Sequence, residues 1–138
     1  MGNAAPKDLK KTIFDLKLGS RVKLLNYVPS NVLSSLYKNS AGLLFPTYYE
    51  GFGIPILEAM QHRIPFLIGN IGAAPETAGG HGIKVSPFSV EEISNGIKLL
   101  LDTTDLQIEE AHNYVKNFSW EKNASETNKF YQDILDNF

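Results

Sequence analysis

Two glutamates, Glu50 and Glu58, are the residues of this chain whose type and spacing best suit chemistry. Seven residues separate them, and the stretch from Phe45 to Met60 reads FPTYYEGFGIPILEAM. An ionised carboxylate accepts hydrogen bonds through two oxygens. The spacing predicts that both carboxylates reach the rim of one pocket.

Local signals predict the elements that must position the two glutamates. Ala41 to Phe45 is an apolar run typical of a short buried strand, and Pro46 ends it because proline cannot donate to a sheet ladder. Pro55 occupies a position favoured at the start of a helix, so we predict a helix over Ile56 to Gln61. The amino end of that helix faces the loop, and its free N–H groups attract anions.

The loop before this helix allows two interpretations. Gly51 and Gly53 flank Phe52, which suits a backbone that takes positive φ or is closely approached by a ligand. Alternatively, the glycines are turn formers, Glu50 is a solvated loop residue, and Glu58 is an acid favoured near a helix start. Spacing alone does not separate the two interpretations.

The rest of the chain alternates amphipathic helical stretches with short apolar runs. We predict helices from Pro6 with a stop at Gly19, from Ser30 to about Asn39, from Ser89, from Asp105 to about Phe118 and from Ser119, and strands at Val22 to Leu25, Pro65 to Gly69 and Ile83 to Ser86. This alternation indicates the α/β class, with a Rossmann-like parallel sheet covered by helices on both faces.

Finer expectations concern caps, core residues and histidines. Ser89 and Glu92 have the spacing of a capping box, and Trp120 is expected to be a core anchor. In the helix after Ser89, the residues expected to face inward are Ile93, Ile97, Leu100 and Leu101. The three histidines lack metal-ligand spacing, and we expect helix-surface or loop positions for them.

The unusual loops all follow predicted strands. They are Asn26 to Ser30, Pro46 to Ile54, and the glycine-rich Asn70 to Gly82. The carboxyl ends of parallel strands meet at one edge of a sheet, and such sheets bind their ligands there. The pattern therefore predicts a nucleotide-like or other anionic ligand.

Composition excludes several classes of function. The net charge of −2 gives no reason to expect nucleic acid as a partner, and the absence of cysteine excludes a disulfide framework or a cysteine-ligated metal. No apolar run approaches the roughly 20 residues of a membrane span, and no signal-peptide pattern opens the chain. The 138 residues suffice for one domain with a core, and a cytoplasmic protein is expected.

The string EGFGIPILE, from Glu50 to Glu58, resembles the glutamate, seven residues, glutamate signature of retaining GT-B glycosyltransferases of the group 1, or family 4, type. Other segments are similar to further motifs of that family, namely Arg21 to Leu25, Tyr27 to Pro29, Ala74 to Glu76 with Gly79, Val85 to Pro87 and Phe118 to Trp120. The likeness runs from roughly Leu18 to Tyr131. It implies the carboxyl-terminal, nucleotide-sugar-binding half of such an enzyme.

The resemblance also implies roles for individual residues. Glu50 would face the donor sugar as the catalytic residue, and Glu58 would accept hydrogen bonds from the ribose hydroxyls. The implied donor-binding set is Glu58, Gly51, Phe52, Gly53, Ile54, Pro55, Val28 and Pro29, with the last two near the base. The helix opening at Pro55 would face the diphosphate and stabilise the leaving group, so no metal and no cofactor is implied. The nucleotide-sugar is a substrate.

Some features depart from the family pattern. Asn26 and Arg63 stand where the family usually has glycine, and arginine is the less comfortable of the two because asparagine tolerates left-handed backbone. The family also brings an Arg and a Lys to the diphosphate from an earlier strand and helix, and neither precedes Pro6. We expect the acceptor, a glycan or lipid, to be held by an amino-terminal domain absent from this chain.

The absent first strands also affect the predicted sheet. In the doubly wound order they lie between the strand at Val22 and the strand at Ala41. These two strands must then pair directly, or another chain must fill the gap, because an unpaired apolar edge invites association. We therefore expect a homo-oligomer or a rearranged sheet.

Two functions remain open after these considerations. The leading one is the donor-binding domain of a glycosyltransferase, inactive alone, which transfers a sugar with retention when joined to an acceptor domain. The alternative is a non-catalytic nucleotide-binding or interaction module of the same fold. Met1 to Ala5 are interpreted as a start or cloning remnant, and residues 6–138 as a single nucleotide-sugar-binding domain. Membrane association of a full-length enzyme, and the identity of sugar, base and acceptor, stay open.

Overall fold

The computed structural model describes residues 7–137, so the interpretation of Met1 to Ala5 as a remnant lies outside the described residues. The chain divides into two units, Met1–Leu36 and Tyr37–Phe138. The boundary falls inside the second helix. The expectation of a single domain over residues 6–138 stays a prediction.

The first unit contains helix α1 (Lys7–Asp15) and the beginning of helix α2 (Ser30–Lys38). Both helices lie where the apolar periodicity predicts them. The predicted stop at Gly19 is wrong, because α1 ends at Asp15 and the left-handed turn falls on Lys17, with a φ of 53°. A lysine thus takes the conformation that the sequence pattern assigns to the next glycine.

The predicted strand at Val22 to Leu25 does not form. The backbone from residue 22 to residue 29 is irregular, and Leu25 is 59% exposed. A strand is stable only when a neighbouring strand satisfies its N–H and C=O groups, and periodicity within one segment cannot supply that neighbour. Direct pairing with the strand near Ala41 is therefore wrong, and the proposed oligomer stays a prediction.

The second unit is built on a three-stranded parallel sheet, in the order β1 (Leu43–Phe45), β2 (Phe66–Gly69), β3 (Ile83–Val85). Leu44 pairs with Leu67, and Ile68 pairs with Lys84. The helices between and after the strands are α3 (Ile54–Gln61), α4 (Ala74–Thr77), α5 (Val90–Leu101), α6 (Asp105–Val115) and α7 (Trp120–Asp136). The short α4 was not predicted, since the glycine-rich segment around it reads as a loop.

Helices cover both faces of the sheet, because the side chains of β2 alternate between them. Phe66 and Ile68 pack with α3, α4 and α6 in one apolar cluster, while Leu67 packs with Val85 and with Leu100 of α5 in another. All four residues of β2 are buried. The predicted α/β class, with a Rossmann-like parallel sheet, is confirmed.

Side-chain caps begin the last three helices. Ser89, Thr104 and Ser119 each accept a hydrogen bond from the N–H three residues ahead. The reciprocal half of the predicted capping box is wrong, because the Glu92 carboxylate accepts from the Ser86 N–H, at 2.7 Å. Glu92 thus ties α5 to the end of β3 rather than to Ser89.

Two predicted core residues are exposed. Leu101 lies at the end of α5 with 65% of its surface exposed, and Trp120 lies at the start of α7 with 79% exposed. No residue of α7 is buried. Helical periodicity defines an apolar face but not what covers it, which is why the core role predicted for Trp120 is wrong.

Arg63 adopts left-handed backbone, with a φ of 53°, in the turn between α3 and β2. Its side chain donates to Glu109 at 3.0 Å, an exposed ion pair.

We expect Arg63→Gly to raise the unfolding free energy by about 1 kcal/mol, because a residue with a Cβ is strained in this conformation. Thermal denaturation measures the effect, and Glu109→Gln is the control that removes the pair alone. A fall in stability for Arg63→Gly beyond that of Glu109→Gln would contradict the account.

Candidate functional site

The loops that follow the three strands meet at the carboxyl edge of the sheet. A Cβ on Gly69 would lie 2.5 Å from the Thr47 carbonyl oxygen, and one on Gly72 would lie 3.7 Å from the Glu50 nitrogen. The ring of Tyr48 packs against Phe88, which lies in the loop after β3, with centroids 4.9 Å apart. The predicted convergence is therefore confirmed for the loops of the second unit.

Helix α3 begins at this edge without a side-chain cap. Gly53 takes the N-cap position in left-handed conformation, with a φ of 98°, and Pro55 lies in the first turn as predicted. The backbone angle favours glycine at this position, and an added Cβ would also approach the end of the Ile56 side chain to 2.9 Å. Pro55 has no N–H, and the Ile56 N–H donates to the Gly53 carbonyl oxygen at 2.9 Å, so the first turn leaves the Ile54 N–H for a ligand to satisfy.

The buried Thr77 of α4 holds the loop in front of α3. Its hydroxyl donates to the Phe52 carbonyl oxygen, and only 3% of the residue is exposed. A second threonine in the site, Thr47, has a buried hydroxyl oxygen with no hydrogen-bond partner among the described residues. The two threonines thus differ in whether their hydroxyls stabilise the fold.

We expect Thr77→Val to lower the unfolding free energy by about 1–3 kcal/mol, because the Phe52 carbonyl loses its partner. Thr47→Val is the matched control, since it removes an unpaired hydroxyl from the same region with the same change in shape. It should leave stability unchanged or raise it. Urea denaturation of both variants measures the difference, and an equal loss would contradict the assignment.

Glu58 lies beyond the first turn of α3 and is half-buried. Its Oε2 accepts a hydrogen bond from the Tyr37 hydroxyl at 2.9 Å. The favourable effect of the helix dipole on an acid falls off within the first turn, and α3 has no acidic residue there. The interpretation of Glu58 as a helix-start acid is therefore wrong, since a tertiary hydrogen bond holds its carboxylate.

Tyr37 remains a hydrogen-bond donor to this carboxylate. Burial, the hydrogen bond to Glu58 and the charge of Glu58 all raise the pKa of the Tyr37 phenol above its usual range. Its ring stacks on His62, with centroids 5.1 Å apart, and His62 Nδ1 lies 2.8 Å from the Glu58 carbonyl oxygen. Since a carbonyl can only accept, Nδ1 is the protonated ring nitrogen in this contact.

A further histidine contacts the end of α3. His112 of α6 places Nδ1 at 3.1 Å from the Met60 carbonyl oxygen, which also accepts from the Arg63 N–H at 3.2 Å, so the histidine adds a second hydrogen bond at the helix end. His62 and His112 are both half-buried. The helix-end position of His62 is confirmed, but the expectation that the two histidines are solvated is wrong, because both contact the carboxyl end of the helix that carries Glu58.

An open groove of about 750 Å³ runs along the side of α3. It lies between α3, the end of α6 and the start of α7, and Ile54, Glu58 and Trp120 are among its lining residues. The Glu58 side chain is therefore bonded to Tyr37 and also borders an open space. A ligand that reaches this groove can meet the carboxylate.

Most of the predicted site residues belong to this one region. Glu50 is half-buried before the uncapped helix start, Gly53 is buried, and Phe52 and Ile54 are exposed. Gly51 is exposed in the same loop, with open space around its Cβ position. Val28 and Pro29 belong to the first unit, in the irregular segment before α2, and their place near a base stays a prediction.

Sequence reasoning missed two residues of the site, Tyr37 and Thr77. Tyr37 lies 21 positions before Glu58 in the sequence. Thr77 lies 25 residues from Phe52. No local pattern marks hydrogen bonds over such separations, although buried hydroxyls that need partners are the class of residue to search.

Within residues 7–137, no group of three or more histidine, cysteine, aspartate or glutamate side chains is arranged to hold a metal ion. The same described residues include no helix of sufficient length and apolarity to cross a membrane. The expectations about metal and location stay predictions.

Comparison with known proteins identifies the family. Residues 1–119 match the family described as glycosyl transferases group 1. Because the match covers most of the chain, the chain belongs to this family.

Its similarity to individual relatives agrees with that assignment. The chain is 36% identical over 114 residues to O-antigen chain mannosyltransferase B of Escherichia coli, a match that covers 80% of this chain and 30% of that protein. It is 30% identical over 113 residues to the O-antigen chain mannosyltransferase RfbU of Salmonella typhimurium, covering 82% and 32%. The chain thus spans about a third of the length of the curated relatives it matches.

Solved structures agree on the fold. A glycosyltransferase from Rickettsia africae ESF-5 superposes with a TM-score of 0.79 at 25% identity, covering 95% of this chain and 36% of that one. Sucrose-phosphate synthase from Thermosynechococcus elongatus superposes with a TM-score of 0.80 at 22% identity, covering 96% and 35%.

Proposed function

We propose that this chain is the donor-binding domain of a retaining hexosyltransferase and that it binds a nucleotide-diphosphate sugar at the start of α3. The observation that carries the proposal is the uncapped amino end of α3 at the carboxyl edge of the sheet, with Glu50 before it and the oriented Glu58 within it. Two relatives named as mannosyltransferases support a hexose as the transferred group.

In this proposal the two carboxylates have different tasks. Glu58 accepts hydrogen bonds from the ribose hydroxyls, because its carboxylate is held by Tyr37 and borders the groove. Glu50 faces the sugar, whose anomeric carbon becomes positively charged in the transition state. A carboxylate near that carbon stabilises the charge.

The reaction exchanges one bond at the anomeric carbon for another. The bond from that carbon to a diphosphate oxygen breaks, and a bond to the acceptor hydroxyl oxygen forms on the same face. The acceptor proton leaves with the nucleoside diphosphate. The Ile54 N–H and the positive end of the α3 dipole stabilise the charge that develops on the diphosphate. The acceptor, a glycan or lipid, is bound by a further domain of a longer enzyme.

Calorimetric titration of the 138-residue chain with UDP, GDP and ADP tests the donor site. We expect one of the three to bind saturably at concentrations below about 1 mM. Absence of binding by all three up to millimolar concentration would contradict the proposal. A cytoplasmic location, membrane association of a longer enzyme and homo-oligomerisation stay predictions.

A further inference from the structure

The contact between Tyr37 and Glu58 joins the end of α2 to the middle of α3. The Tyr37 hydroxyl donates to Glu58 Oε2 at 2.9 Å, and the Tyr37 ring packs against the apolar cluster beneath α3. His62 stacks on the Tyr37 ring, and its Nδ1 donates to the Glu58 carbonyl oxygen. Packing therefore holds the Tyr37 phenol in place, and the phenol in turn orients the Glu58 carboxylate.

A glutamate side chain that is free on a helix surface samples several rotamers. A ligand that binds it must order those rotamers, and this loss of freedom lowers the affinity. In this chain the hydrogen bond from Tyr37 has already selected one orientation of Glu58. The Glu58 side chain therefore loses its conformational entropy on folding rather than on ligand binding.

The hydrogen-bond capacity of Glu58 is not exhausted by Tyr37. A carboxylate offers about four lone-pair sites on two oxygens. Tyr37 occupies one site on Oε2, which leaves Oε1 and part of Oε2 for other donors. The two neighbouring hydroxyls of a ribose need two sites, and a 2′-deoxyribose needs one.

We propose that Tyr37 is a positioning residue that orients the Glu58 carboxylate for the ribose diol, so that discrimination between ribose and 2′-deoxyribose depends on the Tyr37 hydroxyl. The inference rests on the proposed donor site and adds a residue to it. Tyr37 itself does not touch the nucleotide. It acts through the orientation of Glu58.

The test compares Tyr37→Phe with the wild-type chain, using the nucleoside diphosphate that binds and its 2′-deoxy counterpart. Tyr37→Phe keeps the ring that stacks on His62 and removes only the hydroxyl. We expect the wild-type chain to prefer the ribonucleotide by about 10-fold or more, and the preference to fall by about 3- to 10-fold in the variant. A Glu58→Gln, Tyr37→Phe double variant should show no further loss beyond Glu58→Gln alone.

Tyr131→Phe is the matched control, because Tyr131 also packs by its ring, against Phe130 at 6.3 Å in α7. It should keep the wild-type preference. A lower melting temperature of Tyr37→Phe does not change the ratio of the two dissociation constants, since partial unfolding weakens the binding of both nucleotides by the same factor. An unchanged ratio, or an equal loss for the two nucleotides, would overturn the inference while the donor site stands. If the wild-type chain binds neither, the proposed function itself fails.

Discussion

Glu58→Gln is expected to weaken the binding of a nucleoside diphosphate by about 10- to 100-fold, and this is the largest effect on ligand binding that the structure predicts. The substitution keeps the size of the side chain and removes the charge that strengthens its hydrogen bonds. Hydrogen bonds to a charged group contribute about 1.5–3 kcal/mol each, which corresponds to this range of affinity. Calorimetry with the 138-residue chain gives the dissociation constants.

Two controls make this result specific. Glu50→Gln should change the affinity for the diphosphate alone only slightly, because Glu50 is assigned to the sugar. Glu91→Gln removes an exposed carboxylate from the first turn of α5 and should have no effect. Equal losses for Glu50→Gln and Glu58→Gln would refute the division of roles.

Gly69→Ala is expected to lower the unfolding free energy by about 3 kcal/mol. Gly69 ends β2, and an added Cβ would lie 2.5 Å from the Thr47 carbonyl oxygen. The obstacle is backbone, so the loop from β1 to α3 must move to relieve the clash. The melting temperature should fall by about 10 °C.

Gly51→Ala is the matched control, since it adds the same methyl group to the loop between β1 and α3, at a position where no heavy atom of the described residues beyond its chain neighbours lies within 4 Å of the added Cβ. Differential scanning calorimetry should show a near wild-type transition for it. The same melting temperature for both variants would mean that the end of β2 and the loop between β1 and α3 are not closely packed. The account of how the site is held together would then be wrong.

Where a structural feature depends on a few adjacent residues, the sequence predicted it well. The strand before Pro46, the glycine at the start of α3 and the proline in its first turn all have local causes. The same holds for the serine caps at Ser89 and Ser119, whose hydroxyls accept from nearby N–H groups. Short-range steric and hydrogen-bonding preferences decide such features.

Features that depend on distant partners were predicted poorly. Val22 to Leu25 has the composition of a strand but forms none, and Trp120 has the composition of a core residue but is exposed. In both cases the missing information is the neighbour that would pair with or cover the segment. The hydrogen bond between Tyr37 and Glu58 also depends on a distant neighbour, which is present in the fold but is not indicated by any local sequence pattern.

The candidate site divides along the same line. Glu50, Glu58 and the loop between them were found from one continuous string and belong to one region of the second unit. The groups that hold them, including the Thr77 hydroxyl on the Phe52 carbonyl, come from separate elements and emerged only from the fold. Residues assigned to bind were therefore found more readily than the residues that position them.

Mapping of amide chemical shifts in the 138-residue chain during titration with a nucleoside diphosphate tests the central claim most directly. The account predicts saturable shifts concentrated at Gly51 to Glu58, around the start of α3. These shifts should be lost in Glu58→Gln at the same ligand concentration. The absence of saturable shifts, or shifts confined to α7 and the groove wall around Trp120, would contradict it.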